Sequence, residues 1–426
     1  MTLLLVTVTI LLFFSVPIAV SLGFASLIVL QIEGIPLITL AQSVFESLDS
    51  FVLMAVPFFI LAGNLMQTGG ISKRLINLSN ALVGWFRGGL GSASVLAAMF
   101  FSTMSGSSSA TTAAIGTTLI PAMEKKGYPK PFATATVAAA GEIGVIIPPS
   151  IGMVVYGLIA NVSIGSLFMA GFIPGLLIGL SLIITIIIVA RVKGFDIVQN
   201  QSKREWLKEL WRSFSDAFLA LLMPLIILGG IYRGWFTPTE ASVVAVLYGL
   251  VIGLFVYREI TWTDLLPIFS KSMVTTSVIM MIVAYTSIFS FIVTKEQVPQ
   301  KLGEAIAGFS DNPIVFLLLV NIFLFITGTL LEGLVTIILV TPILAPVAAH
   351  FGIDLVHFGI IMIVNAAIGM LTPPVAVNLV VASKIANIPA SKLTRPVLLY
   401  LFILTVDVLI ITYVPVLSTW LPSLMK

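Results

Sequence analysis

The sequence has no cysteine and little charge, since only 9% of its 426 residues are Asp, Glu, Lys or Arg. Without cysteine the chain can form neither a disulfide framework nor a thiolate metal site. Soluble domains are about a quarter charged, so this composition excludes an ordinary soluble protein. Because 59% of the residues are hydrophobic and the mean hydropathy is +1.16, we predict an all-α polytopic membrane protein.

Several enzyme signatures are also missing. The chain contains no HExxH motif and no GxxxxGK(S/T) loop, which argues against an intramembrane zinc protease and against ATP hydrolysis by a P-loop. A membrane serine protease would need a histidine near Ser107, but His350 and His357 flank a predicted outer loop and are expected to be interfacial. The basic residues lie between apolar segments, so the net charge of +3 does not indicate nucleic acid binding. We therefore expect no enzymatic activity.

Two double prolines interrupt apolar segments that are long enough to span a membrane. The first lies in 141–150 (GEIGVIIPPS) and the second in 369–374 (GMLTPP). Adjacent prolines remove two amide donors and disfavour helix at the preceding residue, so each helix must break near mid-membrane. Such a break persists only where it is buried in protein or lines a wet cavity. Paired breaks indicate the substrate and ion site of a secondary transporter, whereas an ordinary proline kink is the alternative.

The two breaks belong to an internal repeat. Identical residues recur 225 positions apart in the two halves of the chain. The pairs are Leu119 and Leu344, Pro121 and Pro346, Gly127 and Gly352, Gly144 and Gly369, Pro148 and Pro373, and Pro149 and Pro374. One offset across both motifs predicts two structural repeats.

Each repeat also contains a predicted re-entrant hairpin before its broken span. Segments 89–123 and 313–349 are apolar at both ends but carry small or polar residues in the middle, at 102–109 and 327–333. Two half-length helices that meet at such a tip are more consistent with a hairpin than with a single span. The broken transmembrane helices that follow are predicted over 131–161 and 356–387.

Charge determines the predicted orientation. If both hairpins are re-entrant, all but four of the 21 Lys and Arg residues fall on one side, which is a strong positive-inside bias. The exceptions are Arg233, Lys295, Lys301 and Lys426. The hairpins then open to opposite faces, so the repeats are predicted to be inverted. The predicted divisions are an N-terminal scaffold arm (1–50), a first inverted repeat (51–190), an interfacial connector with scaffold spans (191–270) and a second inverted repeat (271–420).

The first hairpin tip concentrates hydroxyl groups. Ser105 to Ser109 are expected near mid-membrane, where the second helix of the hairpin would direct its amides and positive dipole end at the tip. Such a tip can bind an anion, and its hydroxyls and carbonyls can also bind Na⁺. The alternative is that small residues only allow helices to pack closely.

The unwound segments offer main-chain oxygens as further ligands. We expect the carbonyls of Gly144, Ile147 and Pro149 to matter more than their side chains, and Ser150 adds a hydroxyl where the helix resumes. The second-repeat counterparts are Gly369, Leu371 and Thr372.

Three acidic residues lie within apolar segments. Glu332 is in the second hairpin, Glu142 lies two residues before Gly144, and Asp407 lies in the last span. A carboxylate at membrane depth is costly unless it serves a pathway. Glu332 and Glu142 could each bind a cation or a substrate, or else turn to water or pair with a basic residue. Asp407 is assigned no role.

Several motifs together carry a family resemblance. They are MAVPFFILAG at 54–63, SGS at 105–107, IPPS at 147–150, FIPG at 172–175, FTPTE at 236–240 and TPPV at 372–375. Over nearly its whole length the chain resembles the large membrane (M) subunit of tripartite ATP-independent periplasmic (TRAP) transporters. The resemblance implies an inner-membrane protein of a bacterium or archaeon that works with a small four-helix membrane subunit and a periplasmic substrate-binding protein. It also implies Na⁺-driven uptake of an organic anion, of the C4-dicarboxylate or sialic acid class, by elevator movement of a transport domain against a scaffold.

The resemblance also implies roles for individual residues. One Na⁺ site would be formed by Ser105, Ser107, Gly144, Ile147 and Pro149. Another would include Gly328, Gly369 and Thr372. The residues expected to contact the substrate are Ser107, Ser108, Ser150 and Glu332. Glu332 occupies a position where family members often have an acidic residue, whereas Glu142 departs from the family pattern and has no assigned role.

We therefore expect a secondary transporter that binds Na⁺ first, at the hairpin tips and the unwound carbonyls, and then its anionic substrate. Membrane lipid is an expected partner and nucleic acid is not. One alternative from another class stays open at this point, a passive ion or solute channel that uses the hairpins as pore loops. A membrane protease is a third and weaker candidate.

Overall fold

The computed structural model describes residues 2–196, 202–308, 310–373 and 376–424, and all regular secondary structure within them is helical. The first helices are α1 (Thr2–Phe13), α2 (Ile18–Ile32), α3 (Ile38–Leu48), α4 (Ala55–Thr68) and α5 (Ile71–Val83). The first hairpin and broken helix follow, as α6 (Gly89–Ser105), α7 (Ser108–Lys125), α8 (Lys130–Gly141), a 3₁₀ turn (Glu142–Val145), α9 (Ile151–Ile159) and α10 (Ile164–Lys193).

The second half begins after four connecting helices. These are α11 (Lys203–Tyr232), α12 (Pro238–Val251), α13 (Trp262–Lys295) and α14 (Val298–Ala307). The remaining helices are α15 (Pro313–Leu330), α16 (Gly333–His350), α17 (Leu355–Gly369), α18 (Val377–Ala386), α19 (Thr394–Tyr413) and α20 (Val416–Ser423). Of the second double proline, Pro373 is described, whereas Pro374 and Val375 lie outside the described residues.

Helix bounds in the two halves follow the offset found in the sequence. The ends of α6 and α15, both bounds of α7 and α16, and the starts of α8 and α17 are each 225 residues apart. Both halves therefore contain the same order of helix, tip, helix and broken helix. The inversion of one half relative to the other, and the re-entrant course of the hairpins, stay predictions.

The hairpin helices are longer than the sequence suggested. Each of α7, α15 and α16 has 18 residues, which is roughly 27 Å at 1.5 Å per residue, not half a membrane. Polar residues near the tip do not end α6, because Ser102 and Thr103 donate hydrogen bonds to carbonyls of their own helix. Seven helices in the described ranges are long and apolar enough to cross a bilayer, judged by length and composition.

Each hairpin packs against the broken helix of the other half. Helix α7 contacts α8 of its own half and α18 of the second. Correspondingly, α16 contacts α17 of its own half and α9 of the first. The two unwound segments and the two tips are thereby brought into one central region.

A second group of helices surrounds this region. Helix α4 packs on α12 and α13, α5 packs on α11, and α2 and α3 pack along α13. The N-terminal helices share a separate apolar cluster with the end of α13, which includes Leu22, Val29, Ile288 and Ile292. Trp206 fixes the start of α11 to the end of α5, because its indole N–H donates to the Ala81 carbonyl at 2.9 Å.

Some predicted divisions fall inside continuous helices. The division predicted to begin at 191 starts inside α10, which ends at Lys193. After residues 197–201, which lie outside the described ranges, α11 runs without a break from Lys203 to Tyr232. A capping box of Ser202 and Glu205 starts α11. Likewise α13 crosses the expected boundary at 270/271, since its capping box lies at Thr261 and Asp264.

Asp196 anchors the base of the first hairpin. Its Oδ2 accepts hydrogen bonds from the Leu90 amide at 3.0 Å and from the Tyr128 hydroxyl at 3.1 Å. Burial, together with the negative charge of Asp196, raises the pKa of Tyr128, so this phenol remains a donor. The Tyr128 ring packs against Phe132 and Phe195.

Asp196→Ala should lower the free energy of unfolding by about 1–3 kcal/mol, because two buried donors lose their acceptor. Glu124→Ala is the matched control, since Glu124 makes a partly exposed ion pair with Lys130 at 3.8 Å that contributes at most about 1 kcal/mol. Thermal unfolding of both variants in detergent measures the difference. Equal melting temperatures for the two variants would contradict this role for Asp196.

Candidate functional site

The tip of the first hairpin is a glycine turn between two helices. Gly106 ends α6 in the left-handed conformation, with φ of 59°, which residues other than glycine rarely adopt. Ser107 then caps α7, where its hydroxyl accepts from the Ala110 amide at 3.4 Å. The Ser105 and Thr111 hydroxyls are hydrogen-bonded at 2.8 Å. The tip thus presents hydroxyl and carbonyl oxygens at the start of a helix.

The first broken helix lies directly against this tip. A Cβ on Gly144 would be 2.6 Å from the Ser107 carbonyl oxygen and 2.5 Å from Thr111 Oγ1, so only glycine permits the approach. The Pro149 carbonyl oxygen lies against Gly106; the bond between Pro148 and Pro149 is cis.

The remaining members of the first predicted set lie close by. Ile147 directs its side chain at Gly175 of α10. Ser150 is the N-cap of α9, and its buried hydroxyl has no partner within the described residues.

The second tip and the second break make a closer contact. Gly328 and Gly369 meet backbone to backbone, since a Cβ on Gly369 would be 2.5 Å from the Gly328 Cα. Thr372 closes the turn after α17, with its amide donating to the Gly369 carbonyl at 2.9 Å and its hydroxyl to Ile368 at 3.0 Å. Glu332 is the N-cap residue of α16. Backbone oxygens therefore gather at this break as well.

A cavity of about 410 Å³ connects the two tips. Of the predicted substrate-contacting residues, Ser107, Ser108 and Glu332 line it, whereas Ser150 does not. Its two charged lining residues are Glu332 and Lys271. Glu332 thus borders the cavity, and its role there stays a prediction.

The scaffold side of this cavity was not predicted from the sequence. Asn64 and Gln67 of α4, and Lys271 and Thr275 of α13, line it opposite the tips. The available signal was polar residues three or four positions apart inside apolar helices, which place them on one face. Nothing in that pattern indicated which other helix the face would meet.

A second cavity, of about 440 Å³, lies further along α13. It is lined by Val283, Ser287 and Ser290 of α13, by Glu46 of α3, and by residues of α9 and α16. Between the two cavities lies about one turn of α13, from Ile279 to Val283. The same scaffold helix therefore borders both.

Glu142, Asp407 and His357 are buried, whereas His350 is exposed. Glu142 accepts a hydrogen bond from Asn378 at 2.8 Å, and Asp407 accepts one from Ser181 at 2.5 Å. The expectation that His357 is interfacial is wrong, because this ring is buried and contacts Ser418 and the Thr412 carbonyl, both at 3.2 Å. Within the described ranges no three His, Cys, Asp or Glu side chains cluster as a metal site would require.

The chain matches one protein family over most of its length. The family model described as tripartite ATP-independent periplasmic transporter, DctM component, matches residues 5–417. The chain is 45% identical over 385 residues to the C4-dicarboxylate TRAP transporter large permease protein DctM of Pseudomonas aeruginosa, covering 90% of this chain and 89% of that protein. It is 40% identical over 415 residues to the sialic acid TRAP transporter large permease protein SiaM of Vibrio cholerae, covering 97% and 96%.

The chain is also similar to a longer permease protein and to one solved structure. The chain is 44% identical over 402 residues to the isethionate TRAP transporter permease protein DctMQ of Oleidesulfovibrio alaskensis, covering 94% of this chain but 63% of that longer protein. Among solved structures, the fold is similar to that of the YdaH transporter of Alcanivorax borkumensis, with a TM-score of 0.62, 15% identity, and 90% and 87% of the two chains covered. At that identity the likeness concerns the fold alone.

Gly369→Ala should destabilise the protein by about 1–3 kcal/mol, because its Cβ would overlap backbone atoms of Gly328 that cannot rotate away. Gly229→Ala is the control, since Gly229 lies within α11 and has nothing within 4 Å of its Cβ position. That change should be neutral or stabilising by up to about 1 kcal/mol. Thermal unfolding of the purified variants distinguishes the two, and a Gly369→Ala variant as stable as Gly229→Ala would be inconsistent with the contact.

Proposed function

This chain belongs to the DctM component family of the tripartite ATP-independent periplasmic transporters, and from that premise we propose that it couples Na⁺ to the uptake of a small organic anion. It is a multi-pass protein of the inner membrane. The observation that carries the proposal is the meeting of both hairpin tips at one cavity that also has a polar scaffold wall. Irregular backbone at membrane depth is typical of substrate and ion sites in secondary transporters.

The first predicted set of Na⁺ ligands suits a hard cation. The Ser107 carbonyl and the Thr111 hydroxyl both point at the space that a side chain at Gly144 would fill, and Ser105 lies within hydrogen-bonding distance of Thr111. Oxygen donors of this kind are what such cations require. Ser105, Ser107, Gly144, Ile147 and Pro149 would hold one Na⁺. Gly328, Gly369 and Thr372 would contribute to a second.

The cavity suits an anion that carries a carboxylate or sulfonate. The three relatives described above are named for C4-dicarboxylate, sialic acid and isethionate. In this chain Lys271 would offer positive charge from the scaffold, and the start of α7 at Ser108 would offer amide groups. Glu332 would bind a cation or accept a hydrogen bond from a substrate hydroxyl. A substrate-binding protein of the periplasm would deliver the anion, and a small membrane subunit would complete the permease.

An elevator movement is supported by the two cavities along α13. Together they border residues from Lys271 to Ser290, a length of roughly 28 Å at 1.5 Å per residue. The two hairpins and broken helices would move as one transport domain, because each hairpin packs on the broken helix of the other half. Helices α2, α4, α12 and α13 would form the static scaffold.

Uptake into proteoliposomes should depend on an inward Na⁺ gradient and should accumulate solute against its own gradient. The measurement uses this chain with the small membrane subunit and the binding protein, and radiolabelled succinate, sialic acid and isethionate in parallel. Imposed H⁺ and K⁺ gradients serve as controls and should not drive accumulation. Solute or ion flow that only dissipates gradients would instead support the channel alternative.

Ser107→Phe should reduce Na⁺-dependent uptake at least about a hundredfold, because a large ring at the tip displaces the oxygens that face Gly144. Thr117→Phe introduces the same ring on the exposed side of α7 and should leave uptake close to that of the parent. Membrane insertion is checked for both by size-exclusion chromatography. Normal uptake by a well-folded Ser107→Phe variant would show that the first hairpin tip does not form a Na⁺ site.

A further inference from the structure

The face of α7 that carries Ser108 and Thr112 lies against the end of α8. The two residues are one helical turn apart and therefore share this face. A Cβ on Gly141 would meet the Thr112 hydroxyl and would lie 3.3 Å from the Ser108 carbonyl oxygen. Glu142 follows directly, with the Ser108 side chain as a polar neighbour of its carboxyl. Ser107 and Thr111, each one residue earlier in the sequence, lie on the adjacent face, which forms the tip.

Asn378 of α18 holds one oxygen of this carboxyl in place. Its Nδ2 donates to Glu142 Oε1 at 2.8 Å, and its Oδ1 accepts from the Ser109 hydroxyl at 3.2 Å. Glu142 and Asn378 are both fully buried. The first hairpin, the first broken helix and the second broken helix are joined at this point by two hydrogen bonds.

The other oxygen of Glu142 has no partner. Glu142 Oε2, Ser108 Oγ and Thr112 Oγ1 are all buried and lack hydrogen-bond partners within the described residues. None of the ion pairs among those residues involves Glu142. The positive end of α7 lies at Ser108 and favours an ionised carboxylate nearby. Such a carboxyl inside a membrane protein must be neutralised, either by a cation or by a proton.

The fold does not require this arrangement. At the 225-residue offset the equivalents of Ser109, Glu142 and Asn378 are Leu334, Ala367 and Met153. The second half packs its corresponding helices with three apolar side chains at these positions. Structural need alone therefore does not account for a buried carboxylate in the first half.

We propose that Glu142 Oε2, Ser108 Oγ and Thr112 Oγ1 bind a further Na⁺, beside the tip site but on the neighbouring face of α7. A single ion can be coordinated by all three oxygens at once, whereas a proton on Glu142 could make only one new hydrogen bond. Asn378 is the positioning residue, because it fixes the carboxyl and leaves Oε2 free for the ion. The inference rests on the proposed Na⁺ coupling. It adds one Na⁺ ion, and therefore one positive charge, to each transport cycle.

Equilibrium binding of ²²Na⁺ to the full-length chain in lipid nanodiscs tests the site without requiring transport. Glu142→Gln keeps the size of the side chain and its contact with Asn378 but removes the charge. It should lose one bound Na⁺ per chain at saturation, or bind that ion at least about tenfold more weakly. Asp407→Asn is the matched control, since Asp407 is a buried carboxylate held by Ser181 on a different helix pair, and it should bind as the parent does.

Thr112→Val provides a second, uncharged test in case Glu142→Gln folds poorly. It removes one proposed ligand with little change of shape and should also weaken one Na⁺ at least about tenfold. Thr134→Val is its control, because the Thr134 hydroxyl bonds only within α8, to the Lys130 carbonyl. If Glu142→Gln and Thr112→Val both bind the same number of Na⁺ ions with the same affinity as the parent, the proposal is overturned. This holds even if Glu142→Gln changes the pH dependence of uptake.

Ser107→Phe separates this inference from the proposed function. Loss of Na⁺ in Ser107→Phe but not in Glu142→Gln would retain the tip site and overturn the further site. Loss in Glu142→Gln but not in Ser107→Phe would support the further site and overturn the tip site. Loss of one ion in each variant, with two fewer in the double variant, is the expected result.

Discussion

Backbone groups that leave a helix inside a membrane must find new partners, and the centre of this protein is arranged around that requirement. The unwound segments after Gly141 and Gly369 lie against the hairpin tips, not against lipid. Contact is possible because glycines stand at the closest approaches, where Gly144 meets Ser107 and Gly328 meets Gly369. The cross-packing of each hairpin on the broken helix of the other half then follows, because each break is enclosed from two sides.

The periodic features of the chain were readable from the sequence. The double proline at 148–149 and the 225-residue offset predicted where helices stop, and α7 and α16 begin and end at that offset. Local chemistry sufficed, since proline removes donors and glycine permits close approach. The divisions predicted at 190/191 and 270/271 fall inside α10 and α13 for an equally local reason, because the capping boxes that start the next helices lie at Ser202 and Thr261.

Long-range pairing was not readable from the sequence. Glu142 and Asn378 are 236 positions apart, and Lys271 faces the tips only because α13 packs beside α4. His357 was misplaced for the same reason, since α20 folds back to cover it through Ser418. The backbone ligands of the candidate site can therefore be predicted from one sequence. Its side-chain ligands cannot, because they depend on which helices pack together.

The two hairpins combine symmetric geometry with asymmetric chemistry. The N-cap position of the second helix is Ser107 in one hairpin and Glu332 in the other, 225 residues later. The cavity therefore has hydroxyls and amides at one tip and a carboxylate at the other. At an effective dielectric of about 20, two like charges 4 Å apart repel by about 4 kcal/mol. On the proposed function, Glu332 would therefore oppose an anion unless Lys271 or a bound cation offsets its charge. On the proposed function, a shared backbone frame with one negative tip would link cation binding to anion binding, which is the physical content of coupling.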